Sequence, residues 1–184
     1  MSSKRERGYS ILELLVVVAI IGLLSLISVP QFVSMYRSSV VKASMRDFTS
    51  TMRRARQLAA TRNERTRVRF STGVGQRTFM IERGGSDISN PSWTVVTPTR
   101  ALDTTSYFDT STNLPSPGGV ERVINFLPNG SAVDNPAAGT PPTTLSNTNN
   151  KIVLRSSWKN MTYNQYAIDV SGTGQIKVTP SKWR

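Results

Sequence analysis

An unbroken apolar run near the start of the chain limits the fold more than any other feature. Residues 9–29 read YSILELLVVVAIIGLLSLISV, and Glu13 is the only charged side chain among them. As a helix with a rise of 1.5 Å per residue, this run covers about 31 Å, close to the roughly 30 Å hydrocarbon core of a bilayer. It is therefore predicted to be a single transmembrane helix.

The residues before the run predict its orientation. In the segment MSSKRERG, Lys4, Arg5 and Arg7 face only one acid, Glu6, and basic residues favour the cytoplasmic side of a membrane. The N-terminus is expected in the cytoplasm and the rest of the chain beyond the membrane. The alternative is a secretory signal, but its apolar region is usually shorter and precedes an A-x-A-like cleavage site, which this sequence lacks.

Residues around the run form a more specific pattern. Glu13 places a costly charge inside a membrane, so it needs a partner unless it snorkels to the cytoplasmic interface near the positive end of the helix dipole. Gly8 and Tyr9 stand at the junction of the leader and the run, while Gly22 and Pro30 weaken a helix. Together with the basic leader, these residues resemble the class III signal of type IV pilin-like proteins.

This resemblance covers residues 1–35 and implies processing and assembly roles. A prepilin peptidase would cleave between Gly8 and Tyr9, and Tyr9 would be N-methylated, although the family usually has Phe or Met there. Glu13 would meet the N-terminal ammonium of a neighbouring subunit, so that two charges neutralise each other away from water. With Gly22 and Pro30, it forms the expected set of assembly residues.

A helical period continues beyond Pro30. Apolar residues recur at alternating steps of four and three, which predicts an amphipathic helix over residues 30–62 with a narrow stripe packed on a sheet. The stripe contains Val41, Met45, Phe48, Met52, Ala55 and Ala59.

Most of the net charge of +12 is concentrated in one stretch. Residues 37–69 hold ten Lys or Arg against two Asp or Glu. Such a basic face is most often solvated or contacts acidic neighbours, and the alternatives are nucleic acid and anionic lipid. The candidate polyanion contacts are Arg46, Arg53, Arg56, Lys182, Trp183 and Arg184. In this alternative the cations would hold phosphates and Trp183 would stack on a base.

From residue 65 onward, short β-branched and aromatic runs between turn signals predict an antiparallel sheet. In the first strand, RTRVRF, the alternation places the arginines on the exposed side and Phe70 in the core. The predicted strands are Thr66–Ser71, Arg77–Arg83, Trp93–Thr97, Val120–Phe126, Lys151–Ser156, Tyr163–Val170 and Gln175–Thr179.

Glycine-rich segments predict the turns between these strands. Residues 73–75 and 171–174 are expected to be hairpin turns. Residues 128–150 contain 17 Pro, Gly, Ser, Thr or Asn among 23 residues, so they are predicted to form a long exposed loop.

The C-terminal region resembles the GspH/FimT-type branch of minor pilins and pseudopilins. The resemblance depends on INFLPNGSA, which contains Phe126, Pro128 and Gly130, and on the spacing of Val170, Gly174 and Ile176 in the terminal hairpin.

The residue types argue against an enzyme. The chain has no cysteine and no histidine, which excludes disulfides, cysteine-ligated zinc and Ser-His or Cys-His catalysis. The carboxylates after residue 70 are scattered among turn residues, without a calcium-loop pattern. No cofactor and no metal are predicted.

The sequence thus predicts an α+β pilin fold, with a long N-terminal helix packed on a C-terminal antiparallel sheet domain. The expected parts are a cleaved leader (1–8), a transmembrane and filament-core helix (9–29), an amphipathic helix (30–62) and an extracytoplasmic β-rich domain (63–184). The resemblance implies an inner-membrane subunit of a type IV pilus or type II secretion pseudopilus, with a DNA-binding minor pilin for DNA uptake as the alternative. Its expected partners are other pilins, the prepilin peptidase and the inner-membrane assembly platform.

Overall fold

In the computed structural model, residues 10–84, 92–114, 119–134, 142–146, 148, 150–158 and 164–182 are described. The chain divides into two compact units, Met1–Tyr36 and Arg37–Arg184. One helix, α1 (Ile11–Arg62), belongs to both. The strands, all in the second unit, are β1 (Thr66–Ser71), β2 (Thr78–Gly84), β3 (Trp93–Val95), β4 (Arg100–Ala101), β5 (Ser106–Phe108), β6 (Glu121–Phe126), β7 (Ala132–Val133), β8 (Lys151–Ser156), β9 (Gln165–Val170) and β10 (Ile176–Ser181).

The C-terminal end of α1 is closed by a backbone motif. Asn63 follows the last helical residue with φ of 51°, and the Glu64 N–H donates to the Ala59 carbonyl at 3.3 Å. This is the hydrogen bond of a Schellman motif, for which Asn is one of the few suitable residues besides Gly. The Thr66 hydroxyl then donates to the Ala55 carbonyl at 2.7 Å, so the start of β1 is held against the helix.

The strands form two antiparallel sheets. The first has the order β3-β2-β1-β6-β7, with β4 paired to β2, and the second has the order β10-β9-β8-β5. In the first sheet, Val68 of β1 lies opposite Ile81 on one side and Ile124 on the other. In the second, Ile152 of β8 lies opposite Ile168 of β9.

The core of the second unit lies between α1 and the two sheets. Phe48 of α1 contacts Phe70 and Phe79 of the first sheet and Phe108 of the second, at ring-centroid distances of 5.4, 5.3 and 4.7 Å. These edge-to-face contacts suit the ring quadrupoles. The predicted helix stripe is confirmed, because all of its members are buried except Met45, which is partly buried against the same core.

Both predicted hairpin turns are present. Residues 73–75 connect β1 to β2, where Gly73 and Gly75 have φ of 121° and 83°. Residues 171–174 connect β9 to β10, where Gly174 has φ of 75°.

The predicted α+β fold class is confirmed, because the long helix packs on antiparallel sheets.

The prediction of a long exposed loop over residues 128–150 is wrong in its described part. Val133 of β7 pairs with Asn125 of β6 and bridges to Thr144, and Leu145 is buried in the core. The two-residue strand β7 is too short to give a periodic signal.

Strand predictions also fail where strands are short or end at an edge. Strands β4 and β5, of two and three residues, were not predicted. The last strand extends beyond Thr179 through Pro180 to Ser181. Because β10 is an edge strand, the missing N–H of proline does not interrupt a sheet interior.

Candidate functional site

The first unit presents an apolar helix surface. Every large hydrophobic side chain from Ile11 to Tyr36 is exposed, and α1 is long and apolar enough to cross a membrane. Two hydroxyls in this segment are satisfied by the helix itself, because Ser25 and Ser28 donate to the carbonyls of Ile21 and Leu24 at 2.8 and 2.9 Å. An apolar environment can therefore surround this surface without leaving those hydroxyls unpaired.

The predicted assembly residues lie along this segment. Glu13 is exposed in the first turn of α1, where the N–H groups of Glu13 and Leu14 donate to the Ser10 carbonyl. Gly22 has open space where a side chain would lie, and Pro30 is inside the continuous helix. The predicted processing residues, Gly8 and Tyr9, lie outside the described residues.

A second feature joins α1 to both sheets. Arg56 donates from Nε to the Gly130 carbonyl and from Nη2 to the Thr173 carbonyl, each at 3.0 Å. Gly130 lies in the turn between β6 and β7, and Thr173 lies in the hairpin between β9 and β10. We call this arrangement the arginine clasp: Arg56, Gly130, Thr173 and Gly174.

Beside the clasp is a groove of about 560 Å³. We use the name clasp groove for the site lined by Arg53, Arg56, Gln57, Asn129, Gly130 and Gln175, among others. The side chains of Arg53, Gln57, Asn129 and Gln175 are exposed, so the groove has several hydrogen-bonding groups at its surface.

The sequence matches the family description "Prokaryotic N-terminal methylation motif" over residues 3–29. Residues 44–174, more than two thirds of the chain, match "Type II transport protein GspH". The chain belongs to the GspH family. This membership confirms the predicted relation to GspH-type pilin-like proteins.

The fold of this GspH-family chain is similar to that of a solved structure, the minor pseudopilin EpsH from the Type 2 Secretion System of Vibrio cholerae. The two are 13% identical, and the alignment covers 76% of this chain and 96% of that chain with a TM-score of 0.50. This likeness shows a shared fold. No curated protein matches the chain in a sequence search.

The clasp gives a physical reason for two glycines by which the GspH-type resemblance was identified. Gly130 and Gly174 have φ of 81° and 75°, a region that side chains disfavour. A Cβ at Gly174 would also overlap the Gly130 carbonyl oxygen and lie 2.7 Å from Arg56 Nε. The clasp itself could not be predicted from the sequence, because its partners are 74 and 117 residues from Arg56 and no local pattern connects them.

The structure separates the candidate polyanion contacts. Arg46, Arg53 and Lys182 are exposed. Arg56 is held by its two carbonyl partners, which gives it a structural role. Trp183 and Arg184 lie outside the described residues, so the combined set of contacts stays a prediction.

The prediction that the arginines of β1 lie on an exposed side is wrong for Arg67. The alternation is correct, since Val68 and Phe70 are buried, but the Arg67 side chain is only 14% exposed and lies 2.5 Å from Glu82. Arg67 also stacks on Trp93, with its guanidinium carbon 4.0 Å from the ring centroid. Burial lowers the pKa of Arg67, and Glu82 opposes that shift. These partners cover the outer face of the sheet.

Several carboxylates have structural partners. Asp109 pairs with Arg155 at 2.7 Å, and Asp134 accepts from the N–H and hydroxyl of Thr143. Asp103 accepts from the Thr105 hydroxyl and N–H, and these hydrogen bonds, the hydroxyl first, hold its pKa below the ordinary value. Across the described ranges, no three Asp or Glu side chains are grouped so as to hold a metal ion.

Proposed function

We propose that this chain is a minor subunit of a type II secretion pseudopilus or a type IV pilus, and that its work is filament assembly. One observation carries the proposal. The same helix provides an exposed apolar surface within the methylation-motif region and the buried stripe on which the GspH-type sheets pack. Such a helix can anchor a subunit in a membrane and then join neighbouring helices in a filament core.

In this proposal, the chain is inserted in the inner membrane with a cytoplasmic N-terminus, in agreement with the basic leader. The prepilin peptidase cleaves between Gly8 and Tyr9, and the new N-terminus is methylated. The assembly platform then extracts the mature chain into the filament. Arg37–Arg184 is the part that lies outside the membrane.

The proposed roles of three residues differ. Glu13 neutralises the N-terminal ammonium of the adjacent subunit, which offsets the cost of a carboxylate within an apolar helix. Pro30 lacks the N–H for one α-helical hydrogen bond, and Gly22 weakens the helix because glycine loses more backbone entropy than other residues when it becomes helical. These two residues allow the apolar helix to adjust where neighbouring subunits pack together.

Two variants of the full chain test this function in cells that produce the complete filament machinery. We expect mass spectrometry to find a mature N-terminus at methylated Tyr9 and, in Gly8→Val, an unprocessed membrane precursor. Glu13→Ala should remain in the membrane but lose filament incorporation, because the charge partner is removed. Isolated membranes and sheared filaments provide the two readouts.

Two outcomes would contradict the proposal. A mature chain that starts beyond residue 25 would indicate an ordinary secretory signal. Glu13→Ala that enters filaments as well as the parent would indicate that Glu13 only snorkels at the membrane interface.

A further inference from the structure

Three exposed cations form a line on the part of α1 that belongs to the second unit. Lys42, Arg46 and Arg53 are all exposed. At about 100° per residue they lie within roughly 40° of one another around the helix, and they extend over about 16 Å along it. We call these residues the basic stripe. Gln57, one turn beyond Arg53, continues the line into the clasp groove.

The stripe side chains, like Arg54 and Arg62, are exposed and form no ion pair within the described residues, but only the stripe places three such cations on one line of the helix. Most arginines outside it have partners within the chain: Arg37 lies over Trp158, Arg56 binds two carbonyls, and Arg67, Arg69, Arg83, Arg100 and Arg155 form ion pairs. Throughout the described ranges, the stripe side chains have no carboxylate within ion-pair distance. In the isolated chain these three neighbouring charges are solvated, and they are open to pairing with carboxylates of another molecule.

A second copy of this chain is a poor source of that neutralising charge. The described carboxylates of the second unit already have partners within the chain. Five of them pair with arginines: Asp47, Glu64, Glu82, Asp109 and Glu121. Asp103 and Asp134 accept hydrogen bonds in loops. Asp169 lies in register between Lys151 and Lys177. Two copies that brought their basic surfaces together would repel each other.

The surroundings of the stripe favour a protein ligand over a nucleic acid. Between Lys42 and Gln57 the only aromatic residue is Phe48, which is buried, so this stretch of α1 itself offers no exposed ring for base stacking. Three cations along 16 Å would face about nine charges of a DNA duplex, which has one charge per roughly 1.7 Å of axis. The clasp groove adds amide side chains from Gln57, Asn129 and Gln175, which suit carboxylates and peptide groups.

We propose that the basic stripe and the clasp groove together dock an acidic segment of a different filament subunit. The proposal rests on the subunit function proposed above and deepens it. Carboxylates of the partner pair with Lys42, Arg46 and Arg53, and the clasp groove accepts polar groups at the end of that segment.

The test uses the full chain in cells that produce the complete filament machinery. A photoreactive amino acid replaces Gln57, and mass spectrometry maps its cross-link on the neighbouring chain. We expect a site flanked by Asp or Glu on a different subunit. The double variant Arg46→Glu/Arg53→Glu should reduce both the cross-link and the filament-associated fraction by about tenfold, because it places like charges across an interface.

A matched control makes the same change of charge elsewhere on the helix. Arg54→Glu/Arg62→Glu replaces two exposed arginines that lie about 100° and 180° from Arg53, and it should retain the parental cross-link and filament fraction. Circular dichroism of both purified double variants checks that they fold. Changing the mapped acidic residues of the partner to Lys should restore incorporation of the Arg46→Glu/Arg53→Glu chain.

Several results would overturn the docking surface. One is a cross-link to a second copy of this chain. Another is a loss of cross-link and filament fraction in Arg54→Glu/Arg62→Glu equal to that in Arg46→Glu/Arg53→Glu. A third is failure of the Lys substitutions in the partner to restore incorporation of the Arg46→Glu/Arg53→Glu chain. Submicromolar binding of a short DNA duplex at about 0.15 M salt, lost in Arg46→Glu/Arg53→Glu, would assign the stripe to a polyanion instead. Normal incorporation of that variant while Glu13→Ala fails would reject the surface and leave the subunit function standing. Absence of the parent chain from filaments would reject both.

Discussion

Gly174 shows how one residue can connect three parts of the fold. Its φ of 75° gives the hairpin between β9 and β10 its turn, and its lack of a side chain lets the Gly130 carbonyl approach. That carbonyl in turn accepts from Arg56 of α1. The packing of the helix and both sheets at this point therefore depends on the close approach of the Gly130 carbonyl to Gly174. A hairpin turn alone would require only the positive φ.

Gly174→Ala is consequently expected to destabilise the protein by more than about 3 kcal/mol, because backbone strain of roughly 1–3 kcal/mol adds to an overlap with backbone atoms. Gly75→Ala is the matched control. It has a similar φ of 83° but open space around its Cβ position, so only the strain should appear. Denaturant unfolding of the full chain in detergent measures both changes. Equal losses in the two variants would show that the close approach at Gly174 adds no cost beyond the backbone strain.

The arginines of β1 mark the limit of sequence interpretation at the residue scale. Alternation in RTRVRF correctly predicts that Val68 and Phe70 point into the core. It does not indicate what covers the opposite face, because Glu82 and Trp93 come from other strands. A buried ion pair is costly to break, by about 3–5 kcal/mol when one partner is removed. The free-energy cost of burying or breaking such a pair depends on partners from other strands, and the residue pattern of one strand does not identify those partners.

At the scale of elements, length decides what could be predicted. The long helix α1 gives many repeats of the 3.6-residue period, so its buried face from Val41 to Ala59 could be predicted position by position. Strands of six or seven residues, such as β1 and β8, also agree with prediction. Strands of two or three residues give little or no periodic signal: β3 was predicted only as part of a longer strand, Trp93–Thr97, and β4, β5 and β7 were not predicted.

Leu145 tests whether the segment before β8 is part of the core or an exposed loop. It is 5% exposed and belongs to the main hydrophobic cluster. Leu145→Ala should therefore lower the free energy of unfolding by about 2–5 kcal/mol. Val74→Ala, at a side chain that is 87% exposed, should change it by less than about 0.5 kcal/mol. A similarly small change for Leu145→Ala in chemical denaturation would restore the exposed-loop interpretation.

At the scale of the whole molecule, the two units have different surfaces. Met1–Tyr36 exposes its large apolar side chains along α1, whereas Arg37–Arg184 buries aromatic and aliphatic residues between α1 and the sheets. The apolar run and the excess of positive charge are visible in the sequence, but the sequence does not show which cations stay without an ion pair. That distinction comes from the folded arrangement, in which the clasp and the ion pairs occupy most arginines and leave the basic stripe exposed.

This difference predicts that residues 37–184, without the apolar segment, form a soluble and folded protein. The core cluster lies entirely within that range, so removing the first 36 residues takes away exposed apolar surface and no member of the cluster. We expect a monomer in size-exclusion chromatography with a cooperative thermal transition. A fragment that begins at residue 53 is the comparison, because it lacks Val41, Phe48 and Met52, which are fully buried. It should aggregate or remain unfolded. Aggregation of both fragments would mean that the sheets need the N-terminal segment in order to fold.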